Sequence, residues 1–89
     1  MSCLVTLEGE ITLHNLENFY EQLLSAWQDP DGVTITCAGL TYLDTAAFQL
    51  LVALKRSLGQ RPLVFQEVPS AILESADLLG LTTVLKLRG

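Results

Sequence analysis

Between Leu16 and Trp27 the apolar residues Leu16, Phe19, Tyr20, Leu23, Leu24 and Trp27 recur at i, i+3, i+4, i+7, i+8 and i+11. Only an α-helix gathers such positions on one side, so the segment is expected to form an amphipathic helix whose apolar stripe faces another layer. Asn15 stands where an N-cap belongs, and Glu17 and Glu21 place negative charge in the first turns, where the helix dipole favours it. Trp27 ends the stripe and is expected to close the core. Upstream, Ser2 to Glu8 alternates, with Cys3, Val5 and Leu7 on one side and Ser2, Leu4, Thr6 and Glu8 on the other, which is the period of a strand. Gly9 interrupts it, and Ile11 to Leu13 offers a short continuation. Downstream, Asp29-Pro-Asp-Gly32 is turn chemistry that stops the helix and launches the β-branched run Val33 to Cys37. A strand reached through a helix lies parallel to its predecessor by a right-handed crossover, so this helix commits the chain to a parallel sheet.

The second half repeats the alternation. Ala38-Gly39 loosens the chain, and Leu40 to Leu43 carries it to Asp44. Thr45 then reads as the N-cap of a second helix, its hydroxyl accepting from the amide of Ala47 or Phe48. That helix runs to about Leu58, with Gly59 as its C-terminal stop. Ala47, Leu50, Leu51, Leu54 and Leu58 form its core stripe, and Phe48 and Val52 fall on one flank. Ala46, Gln49, Ala53 and Arg56 fall on the opposite side, which is small and nearly uncharged in its first turns. Two explanations fit: the high helix propensity of alanine, or a surface that another chain covers. Pro62 opens a third strand, Leu63 to Gln66. Pro69-Ser70 begins a short helix, Ala71 to Leu79, with Ile72, Leu73, Ala76 and Leu79 as its apolar positions. Gly80 ends it, and Thr83 to Leu87 is expected to be a last extended piece. The order β-α-β-α-β-α-β predicts a single α/β domain over residues 1–89 with a mainly parallel sheet. In such sheets sites gather at the carboxyl ends of strands, and Asp44-Thr45 lies at one.

Composition removes several functions. An apolar fraction of 49% against 17% charged residues excludes disorder. A net charge of −5, with five basic residues of which only Lys55 and Arg56 are adjacent, leaves no basic face for nucleic acid or anionic lipid. The two cysteines, Cys3 and Cys37, sit in strand-like runs without metal-ligand spacing, and His14 is the one histidine. They read as free thiols in a reducing compartment, although a disulfide depends on a distance that spacing does not give. No basic stretch precedes the first apolar residues, so no signal peptide is expected. The longest strongly apolar run, Ala46 to Leu54, spans nine residues and contains Gln49, whereas a membrane-spanning helix needs about 20. The expectation is a cytoplasmic protein without membrane insertion. His14 has no Ser or Cys partner in a nucleophile motif and there is no glycine-rich phosphate loop, so neither catalysis nor a cofactor is expected.

Three stretches carry a family resemblance: Leu7-Glu-Gly-Glu10 before the first helix, Ala38-Gly-Leu-Thr-Tyr-Leu-Asp-Thr45 leading into the second, and Leu78-Leu-Gly-Leu81 near the end. With them the chain resembles the STAS family, the domain of anti-sigma-factor antagonists and sulfate-transporter tails, over nearly its whole length. The resemblance implies a four- or five-stranded sheet with helices packed mostly on one face. It also implies a non-catalytic regulatory module whose partner is a serine/threonine kinase or an anti-sigma factor. The residue after the Asp is the one phosphorylated in the family, which here is Thr45. Together with the helix face read above, the expected contact residues are Asp44, Thr45, Ala46, Phe48, Gln49, Val52 and Ala53. The alternative is a constitutive subunit of a bacterial chemotaxis-signalling or lipid-transport complex, using the same face without phosphorylation. Two positions depart from the pattern. Thr36 stands where the family often has Asp, and Ala46-Ala47 where it often has Ser-Gly.

Overall fold

The computed structural model describes residues 3–87. Its elements are β1 (Cys3–Ile11), a 3₁₀ turn (Leu13–Asn15), α1 (Leu16–Trp27), β2 (Val33–Leu43), α2 (Thr45–Leu58), β3 (Leu63–Gln66), α3 (Ser70–Leu78) and α4 (Thr82–Leu85). The described residues form one parallel sheet in the order β1-β2-β3. The parallel α/β arrangement therefore stands, but with three strands among the described residues rather than four or five.

Register explains why the helices share one side. Cys3, Val33 and Leu63 form one row across the sheet, and Val5, Ile35 and Phe65 the next. These apolar rows face the helices, and Val33 and Ile35 are fully buried. The intervening row, Leu4, Thr34 and Val64, turns the other way, where Leu4 is 64% and Val64 44% exposed. A strand shows its two faces to different surroundings because successive side chains alternate.

β1 and β2 extend well beyond β3, and β2 gains on β1 as they go. Between Thr6 and Glu8 the partners on β2 are Thr36 and Gly39, and between Gly9 and Glu10 they are Leu40 and Tyr42. Each shift inserts one extra residue in β2, which is how a bulge bends and twists a ribbon. Gly9 takes φ +68 within this stretch, a conformation that costs glycine nothing. The ribbon thereby carries Asp44 alongside Ile11, whose carbonyl accepts from the Asp44 amide at 3.1 Å. The run expected to stop at Gly9 is thus one strand to Ile11, and Val33 to Leu43 is likewise continuous.

Several expectations change at the helices. Asn15 does not cap α1 with its side chain. Instead Thr12 caps the 3₁₀ turn, accepting from the His14 amide, while the Asn15 carboxamide bonds the Thr12 amide and the Glu10 carbonyl, each at 2.8 Å. The six-residue stripe on α1 is wider than the face the sheet covers. Phe19, Leu23 and Ala26 are buried, whereas Tyr20, Leu24 and Trp27 remain 44, 38 and 37% exposed. Trp27 therefore does not close the core. On α2, Ala47, Leu51, Leu54 and Leu58 are buried as the spacing predicts, and Leu50 is only partly so. The extended piece expected at Thr83 to Leu87 is the short helix α4, with Leu85 fully buried and Lys86 ending it at φ +55. Leu81 and Leu85 stand four apart, and the Leu85 amide bonds the Leu81 carbonyl at 2.9 Å. Tertiary burial of Leu85 overrides the β-branched character of Thr82, Thr83 and Val84.

Candidate functional site at the start of α2

Asp44 is the knot of this region. Its backbone is extended (φ −85, ψ 176), so it lies outside the helix proper and is the N-cap of α2. One carboxylate oxygen accepts from the Ala47 amide at 3.0 Å, and the other from the Leu13 amide at 2.7 Å. Its own carbonyl accepts from Phe48 at 3.1 Å. One residue thus ties the end of β1, the 3₁₀ turn and the first turn of α2 together. The negative charge also sits where the helix dipole favours it.

The cap is therefore Asp44, and the assignment of that role to Thr45 is corrected. Both residue types cap well, but a carboxylate has a second oxygen that reaches the Leu13 amide at the same time. Thr45 becomes the first helical residue. It is exposed, and among the described residues its hydroxyl has no hydrogen-bond partner.

The expected contact face divides. Thr45, Gln49 and Ala53 are exposed and Ala46 is half-buried. Phe48 and Val52 are not on the surface: they are 1% and 8% exposed and belong to the core. The flank assigned to them faces the core, because α2 packs against α1, β2 and α4 and not against the sheet alone. Their place beside the exposed residues is taken by side chains that spacing had sent inward. Tyr20 and Trp27 of α1 meet Leu50 and Ala53 of α2 along a shallow apolar groove, and Leu16 continues it toward the helix N-termini. The signal for this groove lay in the width of the α1 stripe, which spans more than one buried face needs.

Thr36 lies elsewhere. It pairs with Thr6 on β1, while Asp44 bonds Ile11 five residues further along, about 16 Å away at strand rise. Its hydroxyl donates to a Glu67 carboxylate oxygen at 3.4 Å. The departure from the family pattern at this position is thus outside the Asp44 site.

The remaining reactive groups do not converge on it. Cys3 and Cys37 are both free thiols. Burial pushes the Cys37 thiol up from 9.0 to about 11, which keeps it neutral and unreactive. His14 is exposed. Among the described residues no group of three or more His, Cys, Asp or Glu side chains could hold a metal ion, and no helix is long and apolar enough to cross a membrane.

The start of α2 thus presents an exposed hydroxyl beside an uncharged helix face, on a parallel α/β domain. The family model described as "Mlab, STAS domain" matches residues 1–88, and the chain belongs to the STAS domain family. Membership marks it as a regulatory protein-interaction module of a generally non-catalytic kind. No curated protein sequence matches the chain.

Proposed function

We propose that this chain is a single STAS domain over residues 1–89 that docks a partner protein, as an anti-sigma-factor antagonist does, and that phosphorylation of Thr45 switches the docking. The partner is a serine/threonine kinase or an anti-sigma factor. The contact surface is Thr45, Ala46, Gln49 and Ala53, continued by the groove between α1 and α2, with Asp44 holding the geometry from beneath. The observation that carries this reading is the Thr45 hydroxyl itself. It is exposed and unbonded because Asp44 performs the capping, so modifying it breaks nothing in the fold.

Phosphate would add roughly −1.5 to −2 charges at Thr45. The helix N-terminus favours that charge by roughly 0.3 to 1 kcal/mol, and the Asp44 carboxylate opposes it. These local effects offset one another. The switch then acts at the interface, where an apolar partner surface would have to bury a charge without compensation, which costs far more. The test compares Thr45→Asp, Thr45→Ala and wild type for folding and for partner capture. All three are expected to fold alike, and Thr45→Asp alone to lose the partner. Equal capture by all three rejects the switch.

The groove favours a second reading. Tyr20, Trp27 and Leu50 form an apolar surface of the kind found at permanent interfaces, which are more apolar than transient ones. Under this reading the chain is a constitutive subunit of a chemotaxis-signalling or lipid-transport complex, and Thr45 is a plain hydroxyl contact. Mass spectrometry of the protein from cells separates the two. A stable co-purifying partner with no phospho-Thr45 under any growth condition supports the second.

A further inference from the structure

The sheet has an unused edge that neither reading employs. Among the described residues β1 is an edge strand of nine residues, paired on one side only. Its Cys3 amide bonds the Gly32 carbonyl, and its Ile11 carbonyl bonds the Asp44 amide, both on the β2 side. Strand alternation then turns the N–H and C=O groups of Leu4, Thr6 and Glu8 to the opposite edge. All three residues are exposed.

This edge lies in a groove. A cleft of about 140 Å³ has Thr6, Glu8 and Glu10 on one wall and Asn18 and Gln22 of α1 on the other. A second, of about 320 Å³, continues it past Leu4 to Gln22 and Ser25. Asn15, Asn18, Gln22 and Ser25 recur at helical spacing, so a polar, uncharged stripe of α1 borders the strand edge along its length. At the far end the stripe already behaves as a strand would. The Asn15 carboxamide donates to the Glu10 carbonyl and accepts from the Thr12 amide, the two groups that a neighbouring strand's peptide unit would engage.

Charge decides the occupant. Neither wall carries a Lys or Arg, and Glu8 and Glu10 have no ion-pair partner among the described residues. A second copy of β1 would bring its own Glu8 and Glu10 beside these carboxylates at the strand edge with no cation to meet them, which disfavours self-pairing. We propose that the groove between the free edge of β1 and α1 accepts an extended, cationic segment of another protein as an added strand. Its backbone pairs with Leu4, Thr6 and Glu8, and alternate Lys or Arg side chains reach Glu8 and Glu10. The site is separate from the α2 face and does not depend on the role of Thr45.

The experiment adds a short peptide alternating Lys with Val and Thr to the whole chain, and follows amide hydrogen exchange at Leu4, Thr6 and Glu8. The control is the same peptide with Glu in place of Lys. The basic peptide is expected to slow exchange at these three amides and the acidic one to leave it unchanged. Glu8→Lys together with Glu10→Lys is expected to reverse the preference by about tenfold. Thr6→Pro removes an outward N–H while sparing the ladder to β2, and is expected to abolish binding. Circular dichroism checks its fold, and if it is unfolded the charge-reversed variant decides alone. Thr45→Asp is expected to bind the basic peptide as wild type does, whatever it does to partner capture. Unchanged exchange at saturating basic peptide overturns the proposal, as does equal protection by both peptides. Concentration-dependent protection without peptide also overturns it, by making a second copy the occupant.

Discussion

The two ends of the α1–α2 layer solve the same problem with opposite charges. At the N-terminal end Asp44, an anion, accepts from two backbone amides that no helix ladder serves, those of Leu13 and Ala47. At the C-terminal end Arg61, a cation, donates to backbone carbonyls where both helices run out. Its guanidinium bonds Trp27 at the end of α1 at 2.9 Å and Asp29 beyond it at 3.0 Å, and Ser57 and Leu58 at the end of α2 at 3.1 Å each. Helix termini leave such groups unpaired, and the dipole favours an anion at one end and a cation at the other. The ends differ in what they leave over. Arg61 directs its donors into the main chain and closes its end. Asp44 uses both oxygens on backbone amides and leaves the neighbouring Thr45 hydroxyl open. One end holds the helices in place, and the other holds them while leaving a hydroxyl exposed at the surface.

That contrast can be broken in stages. The largest effect is expected at Gly32, in the turn from α1 into β2. Gly32 has φ +96, and a Cβ there would come within 2.3 Å of the Pro62 carbonyl oxygen, which already accepts from the Val33 amide. Neither side can retreat, so Gly32→Ala is expected to cost more than about 3 kcal/mol by urea unfolding. Arg61→Ala strips four carbonyls of a charged donor and should cost about 2 to 3 kcal/mol. Asp44→Ala loses the cap and the Leu13 bond, for about 1 to 2 kcal/mol. A larger loss at Asp44 than at Arg61 would overturn the idea that the C-terminal end is the stronger clamp. Thr45→Asp is expected to change stability by no more than about 0.5 kcal/mol, since the side chain makes no bond.

The core between the ends supplies a pH test. Cys37 holds its proton up to about 11 when folded, against 9.0 in the open chain. Its contribution is complete below pH 9, where both states are protonated, and is lost as pH rises toward 11, because the unfolded chain gives up the proton first. Replacing Cys37 with Ala should flatten stability over that window.

Periodicity made α1, α2 and the parallel order legible, because burial on one face writes a repeating pattern into the chain. It did not separate Asp44 from Thr45 as the cap. Adjacent residues of equal capping ability carry no local preference, and the amide that decides between them belongs to Leu13, 31 residues away. Arg61 was invisible for a related reason, since its partners are main-chain carbonyls and any residue type supplies those. Tyr20 and Trp27 were read as core because an apolar residue at helical spacing looks the same whether the sheet covers it or it stays at the surface. Phe48 and Val52 show the reverse error, a flank read as surface that is in fact part of the core. α4 itself escaped because a single helical turn is too short to show a period.

The all-parallel sheet also bears on how quickly this chain finds its shape. Cys3 pairs with Val33, and Val33 with Leu63, each thirty residues on, so no strand pair in the sheet closes through a tight hairpin. Every pairing waits for a helix to form and swing across, which raises the entropic barrier before any ladder forms. The helices should therefore acquire structure ahead of the sheet. Mutations that weaken α1 in isolation are then expected to slow refolding more than they speed unfolding.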